Sequence, residues 1–257
     1  LFVTILLQKL YLCCSVNAMY GQRVLAARKL WHILAGGETI GDYCWTPDCR
    51  HHKILARSSS RRAYNSYRHG VITGKAAEMD IMKFFEQQRL RERKIKITRF
   101  KQLNVHARKG QILFAGSSLA EQFPIDELKL LLDPVPIIYN RGIGGDIMAD
   151  LEGDCDTLIF DLAPRLLFIN IGSNDLNSPQ YKEDDLLGRY EKLLRRIIER
   201  LPKTSIFVLS YYPVNPTAPS DIPPEHTAVM FANRNNSNIN HINQRLENLA
   251  RALNEES

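Results

Sequence analysis

Cysteine is scarce in this 257-residue chain: five residues, an odd number, without framework spacing. That excludes a disulfide-stapled secreted scaffold and points to a reducing, cytoplasmic compartment. No apolar run approaches the roughly 20 residues that a spanning helix needs, which excludes a transmembrane bundle. Residues 1–14 (LFVTILLQKLYLCC) come nearest, but Gln8 and Lys9 interrupt them. A basic start is missing and Ser15–Ala18 matches a signal cleavage site only faintly, so the run reads as a chance apolar stretch. Glycine (14) and proline (12) lack any collagen-like period. With 44% hydrophobic and 24% charged residues, the chain can bury a sizeable core.

The net charge of +6 is unevenly spread. Residues 1–78 carry 11 Lys/Arg against 4 Asp/Glu, whereas residues 79–257 carry 23 against 24. The first part also holds four of the five cysteines and both tryptophans. Two segments are therefore expected: a basic, irregular and weakly ordered extension over 1–78, and a folded domain over 79–257. Sequence lying upstream of a natural start at Met79 or Met82 would account for the extension. Within it, Cys44, Cys49, His51 and His52 are zinc-type ligands, but no second pair follows at finger-like spacing, so no metal is expected. The excess charge could attract nucleic acid, yet it shows neither aromatic interleaving nor a motif; that partner is not expected either.

From Met79 the pattern becomes regular. Good helix formers fill 80–104, with Ile81, Phe84, Phe85, Leu90 and Ile97 among the apolar positions. Ile112–Ala115, Ile137–Tyr139, Leu166–Ile171 and Ile206–Tyr212 read as strands buried on both faces. Residues 121–132, 147–162, 183–201 and 236–254 read as the helices between and after them. This alternation predicts a three-layer α/β/α domain with a parallel, flavodoxin-like sheet, whose sites lie beyond the carboxyl ends of the strands.

Three strand ends stand out. After the first comes Gly116-Ser117-Ser118-Leu119. A serine on a tight strand-to-helix turn exposes its hydroxyl, although Ser118 taken singly reads as a helix N-cap. Ala120 stands where a G-x-S-x-G elbow needs glycine, and no P-loop lysine follows. The second strand ends in Asn140-Arg141-Gly142-Ile143-Gly144-Gly145-Asp146, whose glycines let backbone N–H groups approach a ligand; a plain flexible loop is the alternative. The third ends in Gly172-Ser173-Asn174-Asp175, where the Asn174 amide could donate to an oxyanion or simply cap the loop.

In that order these motifs resemble the SGNH hydrolases, or GDSL esterases and lipases. Gly116–Leu119 matches the Gly-Asp-Ser-Leu block, with Ser117 in place of Asp, and Gly172–Asp175 matches Gly-x-Asn-Asp. The wording of 140–146 is similar to the branch of platelet-activating-factor-acetylhydrolase-like enzymes. The resemblance covers about residues 79–257. It implies that Ser118 attacks an acyl ester, that the Ser118 and Gly145 N–H groups and the Asn174 amide hold the oxyanion, and that Asp175 organises its loop. A small-molecule acyl ester is the implied partner, and no cofactor is needed.

The family also supplies a histidine in an Asp-x-x-His block beyond a further strand, and this sequence shows no such block. Among His106, His226 and His241, only His226 falls in a loop on the right side of the sheet, the Pro-rich loop that with Tyr211-Tyr212-Pro213 is expected to border the pocket. The expectation is a family member cut before its last strand, with the 206–212 edge exposed and esterase activity impaired; a non-catalytic remnant or binding module with the same fold is the alternative.

Overall fold

A computed structural model describes residues 3–6, 75–215 and 232–256. In chain order the elements are β1 (Val3–Leu6), α1 (Lys75–Asn104), β2 (Ile112–Gly116), α2 (Ser118–Glu121) and α3 (Ile125–Leu128). They continue with β3 (Ile138–Gly142), α4 (Met148–Gly153), α5 (Cys155–Leu158), β4 (Leu166–Asn170), α6 (Glu183–Arg200), β5 (Ser205–Leu209) and α7 (Asn236–Glu255). Two compact units divide the chain, one of residues 1–37 with 93–257 and one of residues 38–92. In the second, described from Lys75 onward, Arg89 pairs with Glu86 at 2.8 Å along an exposed turn of α1. The larger unit holds the sheet.

All strand pairings are parallel, in the order β1-β5-β4-β2-β3. From β2 the chain crosses to β3 at one edge and then returns past β2 to β4 and β5. Parallel crossovers are right-handed, so this reversal sends helices to opposite faces. Strand residues alternate accordingly. Leu113, Ala115, Leu167, Ile169, Ile206 and Val208 pack with α4–α7 and with Ile97 of α1. Ile112, Phe114, Ile138 and Phe168 face the other way, against Ile125 of α3. On that face Phe114, Phe168 and Phe207 stack across three neighbouring strands with ring centroids 4.8 Å apart at each step. The expected α/β/α architecture is present.

Four differences from the sequence reading have physical causes. The expected helix 121–132 is broken at Phe123-Pro124, where proline removes a donor, into α2, α3 and a 3-10 turn. The expected helix 147–162 divides at Asp154. Strand β3 extends through Asn140 and Arg141, which the sequence reading gave to a loop; both complete the ladder with Phe114 and Ala115. Finally, Val3–Leu6 is a strand, not an idle apolar run. It pairs along β5, Val3 opposite Ile206 and Leu6 opposite Leu209, so the β5 edge expected to be exposed is covered. Its β-branched residues Val3, Thr4 and Ile5 suit that role.

Candidate functional site

β2 and β4 end side by side, Gly116 opposite Asn170. Chain reversal at this point is where sheets of this kind place their sites, and the three motifs meet there. Ser118 is the first residue of α2 and is half-buried. The N-cap is Ser117, not Ser118; its side chain makes no capping bond and is 1% exposed. Among the described residues no backbone acceptor takes the Ser118 N–H.

The second motif turns at Ile143–Asp146, closed by a 3.2 Å bond from the Asp146 N–H to the Ile143 carbonyl. Gly145 is the third residue of that turn with φ +83°, a conformation glycine adopts without steric cost. A methyl placed on Gly144 would lie 3.8 Å from the Ser118 Cβ, so this turn borders the serine directly. The third motif joins it from β4. Asn174 Nδ2 donates to the Asp146 carbonyl at 2.9 Å. An amide nitrogen carries two hydrogens, so this bond fixes the side chain and leaves one N–H for a ligand. Asp175 accepts the Met148 N–H at 3.0 Å, tying the third motif to the start of α4.

Burial pushes the Asp175 carboxyl up to about 6, against the lowering effect of its bond from Met148. Between its ordinary value and that point, the folded chain holds a proton the unfolded chain has lost. Stability is therefore highest below the unfolded pKa and falls as pH rises toward 6. Asp175→Asn keeps an oxygen for Met148 and removes the charge. It is expected to be more stable than the wild type by about 2 kcal/mol at pH 7.5 and equal to it near pH 3.5. Urea melts at the two pH values check this; an equal gain at both would contradict it.

The histidines behave differently. His241 is exposed on α7 and its Nδ1 pairs with Glu183 at 3.1 Å. His106 is exposed in the turn after α1. Among the described residues neither is bonded to Ser118. His226, most of the loop expected to border the pocket, and the Cys44, Cys49, His51, His52 set lie outside the described residues. Among the described residues no cluster of three or more metal-ligating side chains occurs, and no helix is long and apolar enough to cross a membrane.

The sequence reading missed the groups that hold the second motif. Arg93 of α1 reaches Asp146 Oδ1 at 3.0 Å, Asp154 Oδ2 at 2.6 Å and the Asp150 carbonyl at 2.6 Å. Glu121 accepts the Gly144 N–H at 2.7 Å. Arg141 is buried, donating to Asn104 at 2.8 Å beneath the Phe100 ring. These pairs join residues distant in sequence and leave no periodic signature.

Comparison with known proteins gives one family and several structures. The model of the GDSL-like Lipase/Acylhydrolase family matches residues 115–255. A Streptococcus pneumoniae protein named for platelet activating factor is 28% identical, with TM-score 0.58, over 68% of this chain and 77% of its own. A Bacteroides fragilis protein named as an acylhydrolase is 19% identical, with TM-score 0.48, over 61% of this chain and 73% of its own. A GDSL-like lipase from Bacteroides thetaiotaomicron is 20% identical, with TM-score 0.48, over 62% and 74%. Among curated proteins nothing matches.

Proposed function

Because the chain belongs to the GDSL-like lipase/acylhydrolase family, and is thereby a carboxylic ester hydrolase, we propose that it cleaves short acyl esters through an acyl-enzyme on Ser118. The Ser118 hydroxyl attacks the ester carbonyl and gives up its proton to a base. The carbonyl oxygen becomes an oxyanion held by the Ser118 and Gly145 N–H groups and the Asn174 amide. Collapse expels the alcohol, which takes a proton, and leaves the acyl group on Ser118; water then repeats the attack and releases the acid. The observation carrying this reading is the meeting of three separate motifs: the Gly144 turn borders Ser118, and Asn174 is bonded to the same turn.

Among the described residues no histidine is bonded to Ser118. His241 is committed to Glu183, and a serine hydroxyl at its ordinary pKa is a poor nucleophile. Ester turnover by residues 1–257 is accordingly proposed to be slow and limited by removal of the Ser118 proton. Added imidazole then supplies a base. Release of p-nitrophenol from p-nitrophenyl acetate, corrected with Ser118→Ala protein at each imidazole concentration, is expected to rise about tenfold and saturate. Fast turnover indifferent to imidazole would show a base in place and refute the impairment. A binding module with this fold predicts no Ser118-dependent rate at any imidazole concentration.

A further inference from the structure

The part of α1 within the larger unit carries Arg93, Lys96, Ile97, Phe100 and Asn104 at helical spacing. Ile97 is 6% exposed and belongs to the main core, which fixes this stripe against the domain. Around it the polar residues grip one loop at three points. At its entry, Asn104 Oδ1 accepts from Arg141 Nη2 at 2.8 Å and Nε at 3.2 Å. At its centre, Lys96 Nζ meets Glu121 Oε1 at 2.5 Å, while Glu121 Oε2 holds the Gly144 N–H at 2.7 Å. At its exit, Arg93 holds Asp146, whose carbonyl in turn accepts the Asn174 amide. All of α1 lies before residue 115, outside the span matched by the family model.

We propose that Lys96 and Arg93 are positioning residues for ester hydrolysis, acting through Glu121 and Asp146 to aim the Gly145 N–H and the Asn174 amide at one oxyanion. This rests on the assignment of Ser118, Gly145 and Asn174 made above. Gly142, Gly144 and Gly145 give the loop many backbone states, and a donor contributes only if it is already in place when charge develops. Clamping the loop from a helix anchored in the core supplies that order. An exposed ion pair on a rigid surface would do nothing comparable: about a third of each side chain is exposed in the Lys96–Glu121 pair, and such pairs add little stability. Lys96 can therefore be changed without unfolding the protein. Arg93 cannot serve that purpose, because its removal takes an ion pair from Asp146, whose side chain is 1% exposed.

The test uses the full chain, with saturating imidazole in both rate measurements, and three readouts: phosphonylation rate with O-ethyl p-nitrophenyl methylphosphonate, kcat against KM for p-nitrophenyl acetate, and thermal midpoint. Lys96→Met and Glu121→Ala are expected to slow phosphonylation and lower kcat about tenfold, with KM and midpoint nearly unchanged. Lys96→Arg keeps the charge, and Glu121→Gln keeps an acceptor for Gly144; both are expected within about threefold of wild type. Wild-type rates in Lys96→Met and Glu121→Ala would overturn the proposal while leaving the Ser118 assignment intact. So would losses that track a falling midpoint and are not rescued by the conservative variants. If wild-type phosphonylation is absent, or persists in Ser118→Ala, the Ser118 assignment fails and the clamp fails with it.

Discussion

Ser118→Ala is expected to lower imidazole-supported hydrolysis of p-nitrophenyl acetate by about 100-fold or more, to the rate of the imidazole buffer alone. The substitution deletes the only atom that bonds covalently to the acyl group in the proposed path, and among the described residues the adjacent hydroxyl does not replace it. Ser117 is adjacent, but its side chain is 1% exposed and faces away from solvent. Ser118 is half-buried and its side chain makes no hydrogen bond among the described residues, so the fold should not notice the change. A shift in stability within about 0.5 kcal/mol is expected. Loss of rate with an unchanged melt marks a nucleophile; retention of most of the rate would remove Ser118 from the chemistry.

Gly116→Ala carries the largest expected effect on the fold. Gly116 sits at φ +147°, and a Cβ there would stand 2.0 Å from the Asn170 carbonyl oxygen and 2.7 Å from its carbon. Both contacts are backbone, in the strand paired with β2, so no side chain can swing aside. Relief requires pulling apart the central pair of the sheet at the point where Ser117 N–H bonds the same Asn170 carbonyl. The cost is expected to be about 4 kcal/mol or more, most of the stability of an ordinary domain. Circular-dichroism melts should show a protein largely unfolded or poorly soluble at 25 °C. A melt within a few degrees of wild type would mean that β2 and β4 are not so closely apposed.

The strand centres were legible because burial on both faces writes continuous apolar runs, and Leu113 and Leu167 are indeed inaccessible from either side. The site motifs were legible because each is a short local turn placed after a strand. What stayed hidden depends on contacts across the chain. Asn140 and Arg141 are polar, so pattern reading ended the strand before them; pairing with Asn104 and stacking on Phe100 help to hold the buried Arg141 guanidinium there. Burial lowers its pKa from the ordinary guanidinium value. The helical pattern over 80–104 did not single out Arg93, because Asp146 lies 53 positions away. Val3–Leu6 was too short and too remote from β5 for periodicity to assign it.

The decisive measurement is a crystal structure of the chain carrying a phosphonyl group on Ser118. Its phosphoryl oxygen mimics the oxyanion. We expect that oxygen to lie about 3 Å from the Ser118 and Gly145 nitrogens and from Asn174 Nδ2, with the turn bordering Ser118 unchanged. An adduct on another residue, or a phosphoryl oxygen turned away from Gly145 and Asn174, would contradict the account.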